Sequence, residues 1–283
     1  MDGSTNASDT GLLEAGTSHQ RAFGTLKVAA GFDGSFTRVE RLYQSGSVRM
    51  LFPNTHGAEL AGVIVNTAGG LTGGDRFAAS IRVRPRATLS VTSQAAERIY
   101  RSAAGDAEIR VKLNVEASGE LAWIPHQTIL FNGGRLRRRI EAHVARNASL
   151  WLMESIVFGR LAMGEEICAG HVVEDWQVYR EGHLAHAEAF RLDGSELPYR
   201  SNASLAGLKC IATLLHIGTG IEAKLRVARS IMDADPRLES GASAWNGRML
   251  LRLAGGDPAA MRRLVVKLLT TLRNAPVPRN LRM

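Results

Sequence analysis

The run Ile109, Val111, Leu113 and Val115, alternating without a break with Glu108, Arg110, Lys112 and Asn114, constrains the fold of this chain more than any other feature. Successive side chains on an extended strand point to opposite faces, so such a run buries one face and wets the other. A helix would scatter the same residues around its circumference. The pattern recurs. Ile81 and Val83 alternate with Arg82 and Arg84, Pro85-Arg86 turns the chain, and Leu89 and Val91 alternate with Ser90 and Thr92. A turn at Ala117-Ser118-Gly119-Glu120 returns the chain through Leu121 and Trp123. Short strands at this pitch, punctuated by Gly, Pro and Asn, predict a mainly β fold. Sandwich, barrel and β-helical forms all fit it.

The last third changes period. Asp257-Pro258 supplies an N-cap followed by proline at the first helical position. Met261, Leu264, Val265, Leu268, Leu269 and Leu272 then recur at spacings of three and four, which predicts an amphipathic helix. Further helices are expected over Ala203 to Leu215 and Glu222 to Met232. Ala275-Pro276-Val277-Pro278-Arg279 cannot continue a helix. No internal repeat or long linker divides the chain. The expectation is one domain over 21–283, β-rich over 21–195 and helix-containing over 196–283. Met1 to Gln20, rich in Gly, Ser, Thr and Asp without a basic or apolar region, reads as a flexible leader and not a signal peptide.

Composition narrows the function classes. With 283 residues, 45% of them hydrophobic, the chain can bury a core without staples. Its two cysteines, Cys168 and Cys210, are too few for a disulfide framework or a thiolate zinc site. No apolar stretch approaches the roughly 18 residues of a membrane span, so no membrane partner and a cytoplasmic location are expected. The net charge of +8 invites a nucleic-acid reading. The densest basic cluster, Arg135-Leu136-Arg137-Arg138-Arg139, lacks interleaved aromatics and runs into the alternating Ile140, Ala142 and Val144. A solvated strand edge or protein-docking face fits it better than a nucleic-acid site.

Catalytic motifs are scarce. There is no Gly-x-Ser-x-Gly, and the eight histidines form no His-Glu-x-x-His. The glycine-rich Asn66-Thr67-Ala68-Gly69-Gly70-Leu71-Thr72-Gly73-Gly74-Asp75 lacks the Gly-Lys-Ser/Thr of a phosphate loop, leaving a structural turn or a ligand loop. Two acids interrupt apolar strand faces. Glu154 shares a face with Leu150, Leu152, Ile156 and Phe158, and an arginine such as Arg160 would be a suitable partner. Glu188 shares one with Leu184, His186, Phe190 and Leu192, while His183 points the other way and cannot chelate with His186. An inward carboxylate is costly unless it is paired, hydrogen-bonded or hydrated. His186 with Glu188 is therefore either a satisfied polar pair or the lining of a polar interior passage, and Glu154 either bonds to nearby backbone or an arginine or binds metal. Neither offers the several imidazoles or thiolates of a tight transition-metal cage.

Several segments together resemble the UreD (UreH) family of urease accessory proteins. Asn66 to Asp75, with Gly69, Gly70, Gly73 and Gly74, is similar to that family's Asn-Pro-x-Gly-Gly-x-x-Gly-Gly-Asp, with Thr67 in the place of proline. Gln94-Ala95-Ala96-Glu97-Arg98-Ile99-Tyr100-Arg101-Ser102 resembles its Gln-Ala-Ala-x-Lys-x-Tyr-Arg-Ser. Trp123 to Phe131 resembles its Leu-Pro-x-x-x-Ile-x-Phe, and Gly159-Arg160-Leu161-Ala162-Met163-Gly164-Glu165 its Gly-Arg-x-x-x-Gly-Glu. The resemblance covers about residues 24 to 280. It implies an irregular β-helical or barrel-like scaffold of many short strands, with two or three α-helices in the C-terminal third. It also implies a non-enzymatic chaperone that assists nickel insertion into apo-urease, together with a UreF-type accessory protein and a UreG-type GTPase. No tightly bound cofactor is implied, only transient Ni2+. On the family pattern Asp75, Glu154 and Glu188, with His186 beside them, stand near a water-filled passage. A purely structural adaptor is the alternative.

Overall fold

The computed structural model describes residues 20–54, 57–165, 167–194 and 207–282. Most of the leader therefore lies outside the described residues. The β-rich part winds as a two-sheet solenoid. β5 (Arg76–Val83), β8 (Ala107–Val115), β11 (Arg135–Val144) and β13 (Gly170–Arg180) lie parallel in one sheet. β4 (Leu60–Asn66), β6 (Thr88–Ser93), β9 (Glu120–Trp123) and β12 (Ser149–Phe158) lie parallel in the other. The chain alternates between the two. The turn at Ala117 to Glu120 therefore passes the chain from the first sheet to the second and does not fold it back on β8. Its corner bonds to the next coil, as Ser149 N–H donates to Gly119 O.

The first sheet is completed by β1 (Phe23–Phe32) and β2 (Thr37–Gly46) at one edge and by β14 (His183–Gly194) at the other, in the order β14-β13-β11-β8-β5-β1-β2. The second runs β16-β17-β15-β12-β9-β6-β4-β3, with β3 (Val48–Leu51), β15 (Cys210–Ile217), β16 (Leu238–Trp245) and β17 (Arg248–Gly255). Short strands β7 (Glu97–Ile99) and β10 (Thr128–Leu130) pair beside β12. The clean alternation of β8 is borne out, with every odd position from Ala107 to Val115 buried.

Three layers result. Leu26, Ile81, Leu89, Val111, Leu121, Ile140 and Leu152 fill the space between the sheets. The outer face of the second sheet, with Trp151, Met153, Leu214 and Leu251, is covered by α1 (Ile221–Asp233) and α2 (Pro258–Arg273). Two of the three predicted helices are present, and Asp257 caps α2 by accepting from Ala259 and Ala260 N–H. After the proline break a single helical turn, α3 (Arg279–Arg282), follows.

Three expectations change. The helix expected over Ala203 to Leu215 is contradicted where it is described: Cys210 to Ile217 form β15, held between β12 and β17. Ala203 to Ala206 lie outside the described residues. The arginine cluster is not at a sheet edge, because β11 lies inside the first sheet between β8 and β13. Ser90 and Thr92 are not wetted, since the second sheet is covered on both faces and both residues are buried.

Candidate functional site

Strand register brings charged side chains together at one end of the sandwich. In the second sheet Glu154, Thr213 and Arg252 are direct neighbours across β12, β15 and β17. Directly paired residues share a sheet face, so all three share the face of Leu152 and Leu250, which belong to the between-sheet core. In the first sheet Arg138 pairs with Glu174, and Trp176 with Glu188. The inward side of Arg138 follows from parity, because it lies two residues before the buried Ile140.

Arg138 spans the gap. Its Nη1 lies 2.6 Å from Glu154 Oε2 and donates to Thr128 Oγ1 at 3.0 Å, while Nε donates to Glu174 Oε1 at 2.7 Å. Trp123 Nε1 donates to Glu154 at 2.9 Å and Trp176 Nε1 to Glu174 at 3.3 Å. Glu154 thus finds an arginine, but it is Arg138; Arg160 instead pairs with Glu165 at 2.9 Å. One guanidinium serves two carboxylates in a water-poor space. Burial pushes the Glu154 pKa up to about 7; Arg138 opposes the rise and the Glu174 charge adds to it. Burial likewise works against the Arg138 charge, but Glu154 and Glu174 outweigh it and hold the guanidinium protonated.

Beyond this cluster a cavity of about 440 Å³ opens between the sheets, lined by Glu154, Glu174, Glu188 and Glu239 among others, with Arg252 in its wall. Glu188 is held differently from Glu154. Arg252 Nη2 donates to both of its oxygens, at 2.7 and 2.6 Å, and His186 Nε2 stands 3.7 Å away. Burial would raise the Glu188 pKa, yet His186 and Arg252 beside it bring it below its ordinary value. His183 is exposed and His186 buried, so the two do not meet. Leu184 departs from its expected face. A bulge pairs Val178 with His186 and Tyr179 with Leu184, and Leu184 is left exposed.

The glycine-rich segment and its companion motifs form a different feature. Asn66 accepts from Ala68 N–H and donates to Glu97 at 3.0 Å. Tyr100 O–H donates to Gly69 O at 3.0 Å, and a Cβ on Gly70 would lie 2.4 Å from the Tyr100 ring. Tyr100 packs edge-on against Phe131 at 5.0 Å, and the Arg160 guanidinium sits 4.7 Å above Phe131. Gly159, at φ 85°, lies against the Glu165 carbonyl, Gly164 is also left-handed, and Arg101 bridges to Gly134. The motifs are therefore stacked corners of successive coils. Gly73 and Gly74 precede Asp75, whose two oxygens accept from Ala22 and Thr72 N–H at 2.8 Å. Asp75 is buried in this turn and does not line the acidic cavity.

Sequence parity pointed to Glu154, His186 and Glu188. It missed Arg138 and Glu174, although Val172, Glu174, Trp176 and Val178 share one parity, and it missed Arg252. Among the described residues no three His, Cys, Asp or Glu side chains are grouped so as to hold a metal ion. No helix among them is long and apolar enough to cross a membrane.

The family model described as UreD urease accessory protein matches residues 21–282 of this helix-backed, two-sheet solenoid, which places the chain among the urease accessory proteins. The Urease accessory protein UreD of Rhizobium johnstonii is 40% identical over 95% of this chain and 98% of its own length. Those of Methylobacterium sp. (strain 4-46) and Xanthobacter autotrophicus are 39% and 41% identical, over 92% of this chain and 94% and 90% of theirs. The chain belongs to the UreD family. Its role is that of an accessory in urease maturation, and its relatives' naming as accessory proteins is consistent with a non-catalytic part.

Proposed function

We propose that this protein assists nickel insertion into apo-urease, receiving the ion as cargo in the acid-lined cavity while joining urease to a UreF-type protein and a UreG-type GTPase in the cytoplasm. The observation that carries this reading is the convergence of Glu154, Glu174, Glu188 and Glu239 on one cavity between the sheets. Carboxylates hold a borderline divalent ion more loosely than imidazole or thiolate sets. Loose binding suits delivery, because a donor that binds tightly retains its cargo.

The rival reading is a structural adaptor without metal contact. It draws support from Arg138, which already neutralises much of the charge on Glu154 and Glu174. Co-expression of Glu188→Ala/Glu239→Ala with urease and the other accessory proteins separates the two. Cargo handling predicts unchanged co-purification and several-fold less nickel per urease. Full nickel loading by the double variant would reject it and leave the adaptor.

A further inference from the structure

Glu188 and Glu154 are both inward acids facing an arginine, yet the two arginines differ in one respect. The Arg138 side chain is 4% exposed and the Glu154 side chain 3%. Moving Arg138 away would strand two buried carboxylates, so that pair does not open at ordinary cost. The Glu188 side chain is 13% exposed, whereas that of Arg252 is 61% exposed. Here a fixed carboxylate meets a cation whose long side chain can exchange the contact for water.

The position of this pair matters. A second cavity, of about 330 Å³, is lined by Leu184, His186, Trp245, Arg248 and Arg252 among others. Arg252 lies in the walls of both cavities, and Glu188 lines the first. The Glu188–Arg252 pair, reaching from β14 to β17, therefore stands between them. His186 Nε2 faces Glu188 and has no hydrogen-bond partner among the described residues.

We propose that Arg252 is a displaceable electrostatic latch: it occupies the carboxylate of Glu188 until a divalent cation replaces it, and Glu188 with His186 then forms a transient two-donor site at the junction of the cavities. This rests on the cargo reading above and assigns its exchange step to one residue. A guanidinium and a divalent cation cannot both sit on the same two oxygens without strong like-charge repulsion. Arg252 therefore weakens resting affinity and, by returning, promotes release. Glu154 and Glu174, both engaged by the buried Arg138, add negative charge to the cavity and leave the ligand role to Glu188.

Isothermal titration of the full chain with nickel chloride tests the latch. Arg252→Met should bind Ni2+ about tenfold more tightly than the parent, a difference of about 1.4 kcal/mol. Glu188→Gln/Arg252→Met should lose that gain, and Arg252→Lys, which keeps the charge, should stay near the parent. A mainly structural Arg252 would not raise affinity on removal. Unchanged binding by Arg252→Met overturns the latch, as does an equal gain in the double variant. Neither outcome touches the cargo reading, which stands or falls on nickel loading by Glu188→Ala/Glu239→Ala.

Discussion

The two ends of the sandwich are built from the same coil and filled with opposite chemistry. Around β1, β3, β5 and β6 the inward residues are Leu26, Val28, Val48, Met50, Ile81, Val83, Leu89 and Val91, an apolar interior. One row further along the first sheet, Ile109 of β8 is followed by Arg138 of β11 and Glu174 of β13. Glu154 faces them across the gap, and nearer the open edge Glu188 of β14 meets Arg252 of β17. Buried ion pairs of this kind seldom stabilise a fold more than apolar residues of the same volume. Stability therefore explains the first end and not the second, which makes the charged end the place to look for function.

The comparison breaks most sharply at Arg138. Arg138→Met leaves Glu154 and Glu174 buried without a counter-charge, and about 3–5 kcal/mol of unfolding free energy should be lost in urea titration. Restoring most of it with Arg138→Met/Glu154→Leu/Glu174→Leu would show that the polar end is an elective interior; failure to recover would mean that the charges are needed for folding. The second effect is pH-dependent. The carboxyl of Glu154 titrates higher in the folded chain, about 7, than its ordinary 4.5. Its stabilising contribution is present below the lower value and lost as pH rises through the higher one. Relative to Glu154→Gln, the parent should lose on the order of 2 kcal/mol between those pH values, visible as diverging melting temperatures. Parallel curves would mean that Glu154 is ionised throughout. The smallest effect belongs to Glu188→Gln. With Arg252 largely in solvent, unfolding should change by less than about 1 kcal/mol. A larger loss would make this pair a strut like Arg138 and remove the contrast on which the latch depends.

Much of the scaffold is written in local pattern. The alternation of Ile109 to Val115 gave β8, and Asp257-Pro258 with the spaced leucines gave α2, because each depends on one solvent boundary. Cys210 to Ile217 misled for the converse reason. Sheets and helices cover both its faces, so Leu214 and Leu215 can follow one another and the period of two is lost. The passage of the chain between sheets after Ala117 depends on partners a full coil away, which no local signal carries. For the charged end, parity was enough to place Glu154 and Glu188 inward, and applied to Ile140 and Trp176 it also places Arg138 and Glu174. Arg252 differs. Its face follows from Leu250, but its exposure comes from lying near the open edge, which is a property of the assembled sheets.

The stacked corners carry a consequence for how such a body can change in length. Gly69, Tyr100, Phe131 and Arg160 touch in sequence, one per coil, so each winding is keyed to the one before it. A few residues added at a corner would unseat that key and displace every winding after it. Removing one entire winding would let its neighbours meet again, but would draw the charged end closer to the apolar one. Growth and loss in this architecture come in whole turns, and the distance between its two interiors is counted in them.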